Sequence, residues 1–303
     1  MQSAVVIIIF SRPDTTARVF AAIRQARPAR LFIIADAPRQ NKPEEAEQCA
    51  AARAITENID WPCEVTRDYA VANMGCRQRI FSGLSAVFQV VDRAIILEDD
   101  CLPDPTFFGF CDELLDRYAD DSRVTTISGD NFANSRGGVH GPASYHFTRY
   151  THIWGWATWA RAWNGFDPKM PWWQGRRELL SMWRCFGALS PAMGWYNAAR
   201  HVRKGKLSSW AIPWMLTQWK NGALAICPEQ NLVTNIGFGA AATHTVGEQN
   251  RFSNIPAETM GFPLVHPDTV APNQAAQHWT EQEVFSGKRG VTFKDVRRWI
   301  LGK

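Results

Sequence analysis

An α/β fold with a mostly parallel, helix-flanked sheet is what the sequence predicts, and three features predict it. Short apolar runs alternate with amphipathic stretches through the first 130 residues. The runs are apolar throughout rather than alternating, as strands buried on both faces are. Two of them deliver carboxylates at their ends: Asp36 after residues 31–35, and Glu98-Asp99-Asp100 after residues 95–97.

In chain order, residues 5–10 form the first strand, and 14–25 have helical spacing behind Asp14, a candidate cap. Residues 31–35 are the second strand, closed by the loop signals Pro38 and Asn41-Lys42-Pro43. An Ala- and Glu-rich helix follows at 44–57, then a short strand at 63–67. Ile80, Leu84, Val87 and Phe88 make the apolar stripe of a helix over 76–90. The acid-bearing strand comes next, then a helix at 107–118 and a strand at 124–128 ending in Gly129-Asp130-Asn131. Alternation of this kind favours parallel, right-handed crossover units. Beyond a Gly-rich loop at 132–143 the pattern is less regular. It holds a strand at 145–150, a tight aromatic motif at 154–163, helix over 172–206, a strand within 222–235 and a Gly/Ala loop at 237–245.

The chain has 303 residues, 46% of them hydrophobic and 20% charged, ordinary values for a folded protein. A net charge of +4 is too small for a nucleic-acid footprint, so no nucleic-acid partner is expected. Seven cysteines without a CxxC pair argue against a disulfide framework or a zinc knuckle and point to a reducing, cytoplasmic compartment. The apolar run at 4–10 lacks a basic flank and a cleavage pattern, and is read as a buried strand. Most of the 14 tryptophans fall within residues 154–219. They are read mainly as core, with some available to stack on the C–H face of a sugar.

The triplet Glu98-Asp99-Asp100 carries the chemistry. Adjacent carboxylates repel and resist desolvation unless a cation compensates them. Hard oxygen ligands suit Mg2+ or Mn2+ better than zinc, so the cluster reads as a divalent-metal site acting on a phosphate. An acidic turn after a strand is the competing reading. Asp130-Asn131 offers an acceptor–donor pair for sugar hydroxyls, or a turn cap.

The order strand, Ser11-Arg12-Pro13, strand-Asp36, helix, strand-Glu98-Asp99-Asp100 resembles the GT-A (Rossmann-like) fold of nucleotide-sugar-dependent glycosyltransferases. The phrases at 96–103, 127–132, 153–159 and 231–239 are similar to a bacterial group of nucleotide-diphospho-sugar transferases labelled "hemolytic protein-like". That group is in turn similar to the inverting N-acetylglucosaminyltransferase I family. The resemblance covers roughly residues 4–246 and implies one domain, with a nucleotide-sugar half at 1–130 and a Trp-rich acceptor half at 131–246. Residues 247–303 form an extension ending in a basic amphipathic helix around Phe293, Val296, Trp299 and Ile300. Docking of that helix on the domain is one reading, and peripheral contact with the inner face of an anionic membrane is the other.

The resemblance implies a hexosyl- or N-acetylhexosaminyl-transferase that uses a UDP-sugar donor, Mn2+ or Mg2+, and a saccharide or lipid-linked acceptor. It assigns Asp100 to the metal, Asp99 to ribose hydroxyls, Glu98 to the donor sugar and Asp36 to the uracil edge. Arg12 and Arg77 fall where basic residues meet the nucleotide; Trp156, from the aromatic motif at 154–163, is a further candidate substrate-binding residue. His244 is a second metal ligand, a phosphate partner or a structural histidine. An inverting transferase also needs a base for the acceptor hydroxyl. The family's acid between two tryptophans is here Ala211, in Trp210-Ala211-Ile212-Pro213-Trp214. Either another acid serves (Asp130, Glu98 or Asp167), or the mechanism or acceptor differs, or the chain binds a nucleotide sugar without efficient transfer.

Overall fold

A computed structural model describes residues 1–133, 141–186, 189–238, 252 and 254–285. His244, most of the Gly-rich loops and the expected C-terminal amphipathic helix lie outside the described residues.

The first half folds as its pattern predicts. Strands β1 (Ala4–Ile9), β2 (Arg30–Ala35), β3 (Glu64–Tyr69) and β4 (Arg93–Glu98) alternate with helices α1 (Pro13–Ala26), α2 (Glu44–Ile55) and α3 (Cys76–Val87). After β4 come a three-residue strand β5 (Cys101–Pro103), helix α4 (Thr106–Arg117) and strand β6 (Val124–Ser128). Asp14 sits inside the first turn of α1 and is not its cap; Arg12 holds the cap position without a side-chain bond, because Pro13 opens the helix. A carboxylate there still favours the positive end of the helix.

The second half contributes β7 (Tyr145–Thr148), β8 (Trp156–Trp159), α5 (Ala160–Trp163), α6 (Arg176–Phe186), α7 (Leu189–Arg203), α8 (Ala211–Lys220), β9 (Leu224–Pro228), β10 (Val233–Asn235) and α9 (Gln274–Thr280). The helical stretch expected over 172–206 is thus two helices packed as a hairpin.

One eight-stranded sheet runs β3-β2-β1-β4-β8-β6-β9-β7, and a two-stranded ribbon pairs β10 with β5. Strands β1 to β4 are parallel, as are β6 and β9, while β8 is antiparallel to both β4 and β6, and β7 to β9. The sheet is therefore mixed, with two strands running against the other six. Nothing in the sequence marked β8 as the strand inserted between β4 and β6. Its four residues are buried, so it shows no alternation.

The register positions the site. Ile7 pairs with Ile33 on one side and Leu97 on the other, so the ends of β1, β2 and β4 reach the same edge together. The chain leaves β1 toward β2 in one direction and returns to β4 on the other side. The crevice between β1 and β4 is therefore a topological switch point, the place where open α/β sheets hold ligands.

Under this edge the packing is tight. Gly129 ends β6 where an added Cβ would stand 2.6 Å from Phe107, 2.6 Å from Val233 and 2.7 Å from the Gly155 carbonyl. Gly129→Ala should cost about 1–3 kcal/mol by overpacking. Gly165→Ala, at a position with no atom within 4 Å, should cost far less. Urea denaturation of the two variants measures the contrast, and equal stabilities would contradict this packing.

Candidate functional site

Glu98 is the last residue of β4, and Asp99 and Asp100 turn the chain into β5. Asp99 is buried; its carboxylate accepts the Phe10 N–H at 3.1 Å and faces Nη1 of Arg12 at 3.4 Å. The same Nη1 donates to Oδ2 of Asp100. One guanidinium at the start of α1 therefore bridges two of the three acids across the switch point.

The charge balance is incomplete. Burial, then the charges of Asp100 and Asp99, push the Glu98 carboxyl well above its usual range, with Arg12 opposing. Burial and Asp100 push Asp99 upward too, against Arg12 and the Phe10 N–H. For Arg12, burial works to lower the pKa, but Asp100 and Asp99 outweigh it and hold the guanidinium charged. Three acids facing one fixed cation make a site that gains by taking up a further positive charge.

The ribbon β5–β10 closes over this cluster. Ile236 N–H donates to the Asp100 carbonyl at 2.8 Å, and Gly237 N–H to Oδ1 of Asn235 at 2.9 Å. A Cβ on Gly237 would fall 2.2 Å from Oδ2 of Asp100, so only glycine lets the chain pass this close to the carboxylate. Next in sequence, Phe238 is half-buried and its ring centroid lies 5.6 Å from that of Trp154, which is 5.0 Å from Phe132. This aromatic wall beside Asp100 was missed in the sequence. Its signals were the phrases 127–132, 153–159 and 231–239, which show the residues but not what they face.

The other expected site residues divide. Asp36 reaches the same edge, but it is buried and its oxygens accept N–H groups of Ala37, Met74 and Gly75 at 2.9 Å each, with Asn73 Nδ2 at 3.3 Å. It holds the loop that leads into α3. Arg77 follows on the first turn of α3, half-buried, and its guanidinium meets no hydrogen-bond or ion-pair partner among the described residues. Neighbouring Cys76 is within electrostatic reach of Glu98, Asp99, Asp100 and Asp36, so the start of α3 adjoins the acid cluster.

Asp130 is 1% exposed; one oxygen accepts the Trp154 N–H at 3.0 Å and the other lies 3.4 Å from Nδ1 of His152. Asn131 is fully engaged by the protein itself. Its Nδ2 donates to the carbonyls of Pro228 at 2.7 Å and Glu229 at 3.2 Å, and its Oδ1 accepts the Ala133 N–H at 2.8 Å. Asn231, another residue missed in the sequence, accepts the Asn131 N–H and ties it to residues 233, 255 and 256. Trp156 is a core residue, 1% exposed, with Trp210 at 5.3 Å and Trp214 at 5.9 Å between ring centroids. On β8 it pairs with Ile96 and Ser128, one step inside the edge, so its ring packs the interior rather than lining the open crevice. Ala211 is buried in the same tryptophan layer. Asp167 accepts the Lys169 N–H at 2.8 Å and caps a turn.

Carboxylate oxygens are the right donor set for Mn2+ or Mg2+. Among the described residues no three His, Cys, Asp or Glu side chains converge as a self-sufficient metal cage. Mg2+-type ions are commonly held by one or two carboxylates plus substrate phosphates, and Asp100 with its neighbours fits that mode.

No family model matches the chain, and no curated protein matches it. Solved structures resemble it loosely. S. aureus TarS residues 1–349 aligns at 7% identity and TM-score 0.39, over 77% of this chain and 60% of that one. The galactosyltransferase LgtC with donor and acceptor sugar analogues gives 8% and 0.38, over 73% and 72%. Apo UDP-glucose pyrophosphorylase gives 8% and 0.40, over 78% and 94%.

Arg12→Ala should destabilise the protein by about 1–3 kcal/mol, because it leaves charged acceptors unpaired. Adding Asp100→Asn should recover part of that loss. Strict additivity in chemical denaturation would show that the two residues are not coupled.

Proposed function

We propose that the protein transfers a sugar from a UDP-sugar to a saccharide or lipid-linked acceptor, with inversion and with help from Mn2+ or Mg2+. The observation that carries this reading is the placement of three carboxylates and one arginine at the switch point of the sheet, with an aromatic wall alongside. A nucleoside diphosphate is the ligand whose chemistry suits both signs of charge there.

Asp100, with His244 as the second proposed ligand, would hold the cation. When bound, that cation stabilises charge building on the departing diphosphate. Arg12 adds a charge-assisted donor for phosphate oxygens, a role its fork geometry suits. Arg77, whose guanidinium has no partner among the described residues, is the second arginine for the nucleotide. Asp99 orients Arg12 and accepts from the ribose. Asp36 acts on the base by holding the 73–75 backbone in place. Phe238, half-buried and backed by the buried ring of Trp154, supplies the apolar face for a pyranose, the part assigned in sequence to Trp156. Glu98, at the mouth of the crevice, receives the donor sugar and is the acid best placed to serve as base.

A second reading has one observation in its favour. Ala211, at the position where the resembled family carries an acid, is buried and has no titratable group. A chain that binds nucleotide sugar but transfers slowly would follow, since loss of a general base costs about a hundred- to ten-thousand-fold in rate.

Titration calorimetry of UDP with and without Mn2+, then UDP-sugar turnover on the same sample, separates these readings. Metal-dependent binding with turnover supports the transferase. Binding without turnover supports the second reading, and no binding refutes both. Asp100→Ala should abolish the metal-dependent part of UDP affinity; an unchanged isotherm would remove Asp100 from the metal site. Phe238→Ala should raise KM for the UDP-sugar several-fold while UDP affinity holds, and equal losses for both would place the ring elsewhere.

A further inference from the structure

We propose that the α6–α7 hairpin is a docking face for an anionic lipid bilayer. The charge of the chain is unevenly spread. Residues 168–228 hold nine Lys and Arg against a single acid, Glu178, in a protein whose whole excess is +4. The positive charge is therefore concentrated on the segment that contains α6, α7 and α8.

The two helices pack on each other, and α7 packs in turn on α8. Their inward sides are apolar: Met182 on α6, and Ala192, Trp195, Ala198, Ala199 and Val202 on α7, are buried. Their outward sides mix cations with large apolar side chains. On α6, Arg176, Leu180 and Trp183 succeed one another at helical spacings of four and three, with Arg177 beside them, and all four are exposed. Leu180 and Trp183 are each 46% exposed, in a molecule that buries most of its tryptophans. On α7, exposed Met193 (38%) and exposed Arg200 lie two turns apart on one stripe, which runs on to exposed Lys204 with Arg203 close by.

This composition selects the occupant. A polyanion contacted through its phosphates would be met by the cations alone and leaves Leu180, Trp183 and Met193 without a role, and even stacked bases would use only Trp183. A bilayer surface uses both kinds of side chain. Trp and Leu enter the boundary between headgroups and acyl chains, while Arg and Lys extend their stems and keep their charge at the phosphates. Basic residues near an anionic leaflet are drawn to its negative surface potential, and that attraction is screened by salt. The docking stands apart from the proposed transfer chemistry, because neither helix carries a residue of the acid site.

Flotation of the full chain with vesicles of zwitterionic lipid, and with vesicles that include an anionic phospholipid, tests this. The protein should float with the anionic vesicles, stay behind with the zwitterionic ones, and be released by high salt. Arg200→Glu/Arg203→Glu/Lys204→Glu should weaken binding by about tenfold or more. Leu180→Ser/Trp183→Ser should weaken it several-fold while leaving it salt-sensitive. All of these side chains are exposed, so thermal melting should show both variants folded, and either variant alone suffices if the other does not fold. Failure of the full chain to bind anionic vesicles overturns the proposal. So does binding undiminished in the variants, which would place the contact elsewhere in the chain. Equal retention on a soluble polyanion that ignores Leu180→Ser/Trp183→Ser overturns it in favour of a polyanion site.

Discussion

The bridge from Arg12 to Asp99 and Asp100 is the interaction on which the sheet edge depends. Three successive carboxylates at the end of a buried strand repel one another and resist desolvation. Their register beside β1 places the Arg12 guanidinium across two of them, while the Phe10 N–H satisfies Asp99 from the same side. That compensation lets the chain fold with its charge gathered at one point. It is also partial, and the remaining negative charge leaves the crevice receptive to a further positive charge.

Around this point the architecture uses close backbone approaches rather than bulky side chains. Gly237 lets the β10 segment run over Asp100, and Gly129 lets β6 end against Val233 and Gly155. Asn231 and Asn131 stitch the same region through buried hydrogen bonds to backbone groups. The phrases at 127–132 and 231–239 meet here, far apart in sequence but joined by the Leu232 N–H donating to the Gly129 carbonyl and by the Asn131 N–H donating to Asn231. The tryptophan layer behind β8 is the other rigid element.

The strands and helices of the first half were legible in the sequence because each has a strong local period: apolar runs for β1, β2 and β4, and amphipathic stripes for α1 and α3. The acid triplet and Asp36 were legible as strand ends, and Arg12 through its place just after β1. Less was visible beyond residue 131. The reversed strand β8 and the three-residue β5 carry no period of their own, and α6 and α7 share one continuous helical pattern in the sequence. Asp14 looked like a cap because its residue type favours that position, but Pro13 moves the helix start ahead of it.

The sequence by itself determined the class of fold, the edge at which the carboxylates gather and the kind of charge found there. Those follow from local patterns, since hydrophobic period and strand-end chemistry act over a few residues. Only the tertiary structure decided which polar groups remain available. Asp36, Asp130 and Asn131 look alike as exposed-seeming residues after strands, yet each is buried and bound to neighbouring N–H or carbonyl groups. Trp156 likewise became core, and Phe238 with Trp154 became the aromatic wall. The reason is physical: a side chain's free valence depends on which backbone groups the packing brings to it, and those groups come from segments up to a hundred residues away.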